Sequence, residues 1–376
     1  MVQISTNFDS GNITVLDCDD PANIRLEIPK DAGGEFNQWF HFRVSGARGV
    51  PLTLHIENAS QTSYPKGWED YRAVVSEDRE SWTRAETSYD GRALTISYTA
   101  ESDAVWFAYF APYSLDRLED LKAAAQASGF ASLRTLGQTL DGRDLDMLTF
   151  GAGEKPLWFI ARQHPGESMA SWFMEGLIEK LCDPFDPIAR GLMNAATLHV
   201  VPNMNPDGSY RGYLRTNAAG ANLNREWKDP SMERSPEVFL VRQAMEESGM
   251  AMCLDAHGDE GLPYNFIAGY EGLPDLTEAH LAPLNRFREE LSALTPDFQT
   301  ERGYPKSSPG KGNLTTATGH LSNTFRCPVM TLEMPFKDTA NNPLPEVGWS
   351  PDRCKHLAHD CLRITLKMMD DWGSGL

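Results

Sequence analysis

Three stretches of this chain place ionisable side chains directly after short apolar runs. Ile160-Ala-Arg-Gln leads into His164-Pro-Gly-Glu167, Met252-Cys-Leu-Asp into Ala256-His257-Gly, and Val329-Met-Thr-Leu into Glu333. Two imidazoles and one carboxylate around an open fourth position make the donor set of a catalytic zinc site. A second carboxylate beside such a site would act as general base toward an attacking water. The Pro-Gly turn between His164 and Glu167 can aim an imidazole and a carboxylate at one point. The His-x-x-Glu spacing alone carries little weight, because a lone His or Glu after a strand is usually a satisfied loop residue. Three such groups after three strands carry more.

A polar cluster between these stretches adds anion chemistry. Asn205-Pro-Asp-Gly208 is followed by Arg215 and then by Asn222-Leu-Asn224-Arg225-Glu-Trp227. Arg225, helped by Asn224, suits bidentate pairing with a carboxylate. Arg215 suits an oxyanion that develops during reaction. Taken singly, either arginine reads more simply as half of a surface ion pair.

Two kinds of secondary structure must position these groups. Residues 1–112 read as an antiparallel β-sandwich domain, with alternating runs at 39–44, 51–56, 93–98 and 105–110 separated by turns rich in Gly, Asp and Asn. Residues 113–376 then alternate strand-like and helical patterns. Helices are predicted from Leu115, at 169–181, 236–247, near 276–294 and at about 351–372, with Ser114 and Ser168 as N-caps. Strands are predicted near 156–161, 197–201, 252–255 and 329–333. Alternation of this kind indicates an α/β domain with a mixed, mainly parallel sheet flanked by helices. Ligands in such sheets bind beyond the carboxyl ends of the strands, where the three ionisable stretches fall.

Composition limits the partners. The 376 residues are 41% hydrophobic and carry 34 Lys+Arg against 53 Asp+Glu, a formal charge of −19. Length predicts two domains. Strong acidity argues against general binding to nucleic acid or anionic membranes. No apolar run is long enough to span a bilayer, and the first residues lack the pattern of a signal peptide. Six scattered cysteines without a Cys-x-x-Cys read as free thiols. A cytoplasmic protein is expected, with a homo-oligomer left open.

Other motifs read as bland. Gly166-Glu-Ser168-Met-Ala170 approximates a nucleophile elbow but ends in Ala. Gly151-Ala-Gly-Glu-Lys-Pro156 has Pro where a dinucleotide loop needs its third Gly. His356 and His359 have metal-compatible spacing but sit on an amphipathic terminal helix. Trp39, Trp68, Trp82 and Trp106 read as core rather than as a carbohydrate face.

The set His164-Pro-Gly-Glu167, Asn205-Pro-Asp-Gly208, Leu223-Asn224-Arg225-Glu-Trp227, Asp255-Ala-His257-Gly and Thr331-Leu-Glu333 resembles the zinc carboxypeptidase family, in its cytosolic carboxypeptidase branch. Phe107-Ala-Tyr-Phe-Ala-Pro-Tyr113 looks like the end of that branch's N-terminal β domain, so the resemblance covers most of the chain. It implies one Zn2+ per chain on His164, Glu167 and His257, with Glu333 as general base. It further implies that Arg215 stabilises the oxyanion and that Asn224 and Arg225 clamp the substrate's terminal carboxylate. Relatives often read Asp-Leu-Asn-Arg where this chain has Asn222. The family also uses a mobile tyrosine over the substrate; Tyr304 lies in the right general segment, residues 309–325 contain no tyrosine, and the role stays unassigned.

The resemblance therefore implies a zinc metallocarboxypeptidase acting on peptides or protein tails. The alternatives are a zinc deacylase of small N-acyl amino acids, which also clamps a carboxylate, and a non-catalytic peptide-binding protein. Between 302 and 326 the chain carries Arg302, Lys306, Lys311 and Arg326 and no acidic residue. That basic stretch predicts a preference for C-terminal acidic residues, set against the simpler reading of a solvated loop.

Overall fold

The computed structural model describes residues 1–373. The first 108 residues build two five-stranded sheets. One runs in the order β1 (Gln3–Ser5), β4 (His41–Ser45), β10 (Ala104–Ala108), β6 (Val74–Ser76) and β7 (Thr83–Arg84). The other runs β2 (Thr14–Asp17), β3 (Ile24–Glu27), β5 (Pro51–Ile56), β9 (Leu94–Thr99) and β8 (Glu86–Tyr89). Leu52, Leu54 and Ile56 point inward while Thr53 and His55 alternate outward, as a half-buried strand requires. Tyr98 of one sheet meets Phe107 of the other edge-on at 5.9 Å. One detail departs from an all-antiparallel sandwich: β3 and β5 pair in parallel. The chain between them crosses to the other sheet to form β4, and that excursion supplies the long connection a parallel pair needs.

After α1 (Leu115–Ala127), whose first turn is capped by Ser114 at 3.1 Å, a seven-stranded sheet follows. Its strands are β11 (Ala131–Gln138), β12 (Asp144–Phe150), β13 (Lys155–Ala161), β14 (Ala196–Val201), β15 (Met252–Asp259), β16 (Phe266–Ala268) and β17 (Val329–Pro335), in the order β11-β12-β14-β13-β15-β17-β16. The four central strands are parallel and largely buried on both faces, which is why they read as continuous apolar runs. The antiparallel pieces lie at the edges. The helices are α2 (Met169–Leu181), α3 (Pro187–Ala195), α4 (Pro206–Arg211), α5 (Pro236–Ser248), α6 (Glu278–Leu294), α7 (Ala317–Phe325) and α8 (Pro351–Lys367). None is long and apolar enough to cross a membrane.

Ser168 stands at the start of α2 but does not cap it, contrary to the sequence expectation. Its backbone is already helical (φ −64°, ψ −19°), and its Oγ has no hydrogen-bond partner. A capping side chain needs an extended backbone to reach back to the first free N–H groups. His359 is also accounted for: its Nε2 faces the Gly176 carbonyl at 3.1 Å, joining α8 to α2.

One hydrophobic core runs through the sandwich and the larger sheet. Tyr109 stacks on Phe336, just past the end of β17, at 4.3 Å and 19°, and the Trp172 indole donates to the Ala111 carbonyl. The segment from Phe107 to Tyr113 is thus the seam between the two parts. Arg84 strengthens it by donating to the carbonyls of Val347 and Trp349.

Candidate active site and metal centre

The carboxyl ends of β13, β15 and β17 meet at one place. β15 and β17 pair in register so that His257 lies opposite Glu333. The turn after β13 is set by Arg162, which adopts the left-handed region at φ 63° and buries its side chain completely. Its guanidinium donates to the Pro165 carbonyl at 2.6 Å and to Ser171 Oγ at 2.8 Å. A bulky residue holds that conformation only when its surroundings enforce it. The bend brings His164 and Glu167 up to His257.

These three form a buried group able to hold a metal ion. His164 Nδ1 lies 2.7 Å from one Glu167 oxygen, His257 Nδ1 2.8 Å from the other, and the two nitrogens are 3.2 Å apart. Two nitrogens each about 2.0–2.1 Å from a tetrahedral zinc would be roughly 3.3 Å apart, so the nitrogen spacing fits that ion. The outer ring nitrogens are engaged as metal-binding imidazoles usually are. His257 Nε2 faces Asp255 Oδ2 at 3.0 Å, and His164 Nε2 faces Asn222 Oδ1 at 3.1 Å. Gln163 extends this layer, donating to Asp255 and accepting from the Trp227 indole.

Burial, reinforced by the Arg215 charge, lowers His164 to about 4, which favours the neutral, ligating imidazole. Burial opposes charge on His257 too, but the carboxylates of Asp255 and Glu167 outweigh it and push this histidine well above its ordinary value. Glu333 is raised well above the carboxylate range by burial, with Glu167, Asp259 and Glu260 adding to the effect against His257. Its Oε2 has no protein partner.

A cavity of about 1310 Å³ opens in front of these residues, and Arg215, Asn224, Arg225 and Tyr304 share its wall. Among the described residues neither Arg215 nor Arg225 is ion-paired. Burial and the neighbouring Arg215 charge together lower Arg225 from its usual value. Asn224 Oδ1 accepts from Ala317 N at the start of α7, which leaves its amide NH2 for a ligand. Tyr304 lies edge-on to Phe266 at 4.9 Å and donates its hydroxyl to Asp259 Oδ2 at 2.6 Å. From the basic stretch, Arg302 and Lys306 also line the cavity, whereas Lys311 and Arg326 lie outside its lining.

Comparison with known proteins bears on the family and the fold. A family model for zinc carboxypeptidases matches residues 118–258, and one described as the cytosolic carboxypeptidase N-terminal domain matches residues 4–110. The structure of a metallo-carboxypeptidase from Burkholderia cenocepacia superposes with a TM-score of 0.96 at 47% identity, over 98% of this chain and 99% of that one. The chain belongs to the zinc carboxypeptidase family. Within this family it is a peptidase, and family membership implies zinc. A metallo-carboxypeptidase from Pseudomonas aeruginosa, in complex with (2-guanidinoethylmercapto)succinic acid, gives a TM-score of 0.95 at 45% identity, over 98% of this chain and 99% of that one. An uncharacterised protein of Zymomonas mobilis is 50% identical over 98% of this chain and 97% of its own length.

The structure also adds residues to the cavity wall that local motifs missed. Tyr64, Pro65 and Lys66 of the sandwich form one side of the cavity. No spacing rule links them to His164 and His257, far later in the chain. Asp255 belongs to the Asp-Ala-His motif, but the local pattern gives it no role of its own.

Proposed function

We propose that the protein removes the C-terminal residue from peptides or protein tails, using one zinc ion held by His164, Glu167 and His257. One observation carries this reading: two guanidinium groups that, among the described residues, have no ion-pair partner line a cavity together with His164 and Glu167 of the buried His-Glu-His set and with Glu333, whose Oε2 has no protein partner. Zinc, when bound, polarises the scissile carbonyl and activates a water. Glu333 takes the proton of the attacking water and delivers it to the leaving amine. Arg215 donates to the carbonyl oxygen as it gathers charge, an interaction of the kind whose removal costs about 10²–10³-fold in rate. Arg225 and the free NH2 of Asn224 hold the terminal carboxylate and so restrict cleavage to chain ends. Two domains, 1–112 and 113–376, and a cytoplasmic location belong to the same reading.

The cavity exceeds the roughly 300–1,000 Å³ typical of small-molecule sites, which favours a peptide over a small N-acyl amino acid. Arg302 and Lys306 on its wall support a preference for C-terminal acidic residues. The compound bound to the Pseudomonas relative carries both a guanidino group and a succinate, so its chemistry alone favours neither sign of side chain. The test is a pair of otherwise identical peptides, one with a free C-terminus and one amidated, read by mass spectrometry. Only the free peptide should be shortened. Equal cleavage of both would overturn the carboxylate clamp and with it the carboxypeptidase reading.

A further inference from the structure

Arg215 sits on a loop that the larger sheet does not build alone. Asp31, from the sandwich, accepts three successive backbone N–H groups there: Leu214 at 2.7 Å, Arg215 at 2.8 Å and Thr216 at 2.9 Å. The Thr216 hydroxyl adds a fourth bond at 3.0 Å. A carboxylate bonded to consecutive amides fixes a loop's direction as well as its position. The backbones themselves touch. A Cβ on Gly220 would fall 2.2 Å from the Gly33 carbonyl oxygen, and Gly220 has φ +73°, so glycine is required there on two counts. Through Gly166 N, which donates to the Leu214 carbonyl at 2.9 Å, the same loop is tied to the turn bearing His164 and Glu167.

The side chain of Arg215 is guided by the sandwich as well. Its guanidinium carbon lies 5.4 Å from the Phe36 ring centre and 5.7 Å from that of Tyr64. Aromatic faces attract a cation without using its N–H groups. They therefore orient the guanidinium and leave its donors free for a substrate oxygen. A carboxylate partner would have bound those same donors.

We propose that the N-terminal sandwich is a working part of the active site, with Asp31, Phe36 and Tyr64 acting as positioning residues for Arg215. The proposal rests on the reading of Arg215 as oxyanion donor. Its test compares kcat and KM, on one peptide substrate, for the full-length protein and its Arg215→Ala, Tyr64→Ala, Tyr64→Phe and Tyr64→Ala/Arg215→Ala variants, each first checked for unchanged zinc content and melting temperature. Arg215→Ala should lower kcat by about 10²-fold. Tyr64→Ala should lower kcat by roughly tenfold with little change in KM, and Tyr64→Phe should recover it, because the ring face is kept. Adding Tyr64→Ala to Arg215→Ala should cause no further loss, since the residue it serves is gone. If Arg215→Ala keeps its kcat, the role given to Arg215 is wrong and the proposal falls with it. If Arg215→Ala is slow but Tyr64→Ala is not, or if the two losses multiply, Arg215 keeps its role and positioning by the sandwich is overturned. Asp31→Asn gives an independent arm: an amide NH2 facing backbone N–H groups should reproduce the kcat loss, and normal kcat in a folded Asp31→Asn protein would count against the proposal.

Discussion

Asn222 Oδ1 lies 3.1 Å from His164 Nε2, on the side of the ring away from Glu167. The asparagine that breaks the Asp-Leu-Asn-Arg pattern thus fills the place of an acceptor, holding the imidazole with its Nδ1 toward the metal group. An amide oxygen orients the ring without adding charge. Asn222→Ala should weaken zinc binding by about 10–100-fold, the usual loss when an outer partner of a ligand is removed. Competition against a chelator measures this. Unchanged affinity would mean that the contact does not orient His164.

His164→Ala or His257→Ala should each abolish zinc binding and hydrolysis. Elemental analysis of the purified variants checks this, with about one zinc per chain expected in the parent and none in the variants. Full occupancy in a double His variant would refute the ligand set.

Glu333→Gln keeps the shape of the side chain and removes its basicity. Its kcat should fall by orders of magnitude while zinc is retained. Arg225→Ala should chiefly raise KM, because a terminal carboxylate is held alike in ground and transition states. Identical kinetic profiles for Arg225→Ala and Arg215→Ala would show that the two roles are misassigned.

Arg302 and Lys306 on the cavity wall give a specificity prediction. Peptides ending in Glu should have a kcat/KM on the order of 10²-fold above those ending in Leu, and Arg302→Ala/Lys306→Ala should reduce that ratio. Equal rates for Glu and Leu endings in the parent protein would leave the stretch as surface.

Glu237 gives a prediction about pH. It is fully buried at the start of α5, and burial pushes its carboxyl up to about 7 even though Asn217 donates to it. A carboxyl raised in the folded state favours folding at low pH. Its contribution is complete below about 4.5 and is lost as pH rises through about 7. Glu237→Gln should therefore melt close to the parent at pH 4.5 and above it at pH 8, by up to about 3 kcal/mol in stability. Parallel melting curves across that range would remove Glu237 as the cause.

Much of the site was legible because parallel strands buried on both faces leave continuous apolar runs, and whatever follows such a run stands at the ligand-binding edge. His164, Glu167, His257 and Glu333 are brought together for that reason. The edge strand β11 was not legible: its burial is weak and irregular, with a register shift against β12 between Thr135 and Gly137, so no clean period survives. The nine-residue α3 and α7 and the six-residue α4 are too short to impose a pattern. Asp31, Phe36 and Tyr64 escaped because their meaning lies in contacts with a loop far along the chain, and no local signal reports such contacts.

The stack of Tyr109 on Phe336 has a consequence for the order of biosynthesis. The ribosome releases the sandwich early, with the slot beside Tyr109 still vacant. Phe336 emerges more than two hundred residues later, three residues after Glu333. The strand that carries Glu333 gains its aromatic anchor after the other site residues have been made, so a nascent chain holds no assembled site until Phe336 has emerged.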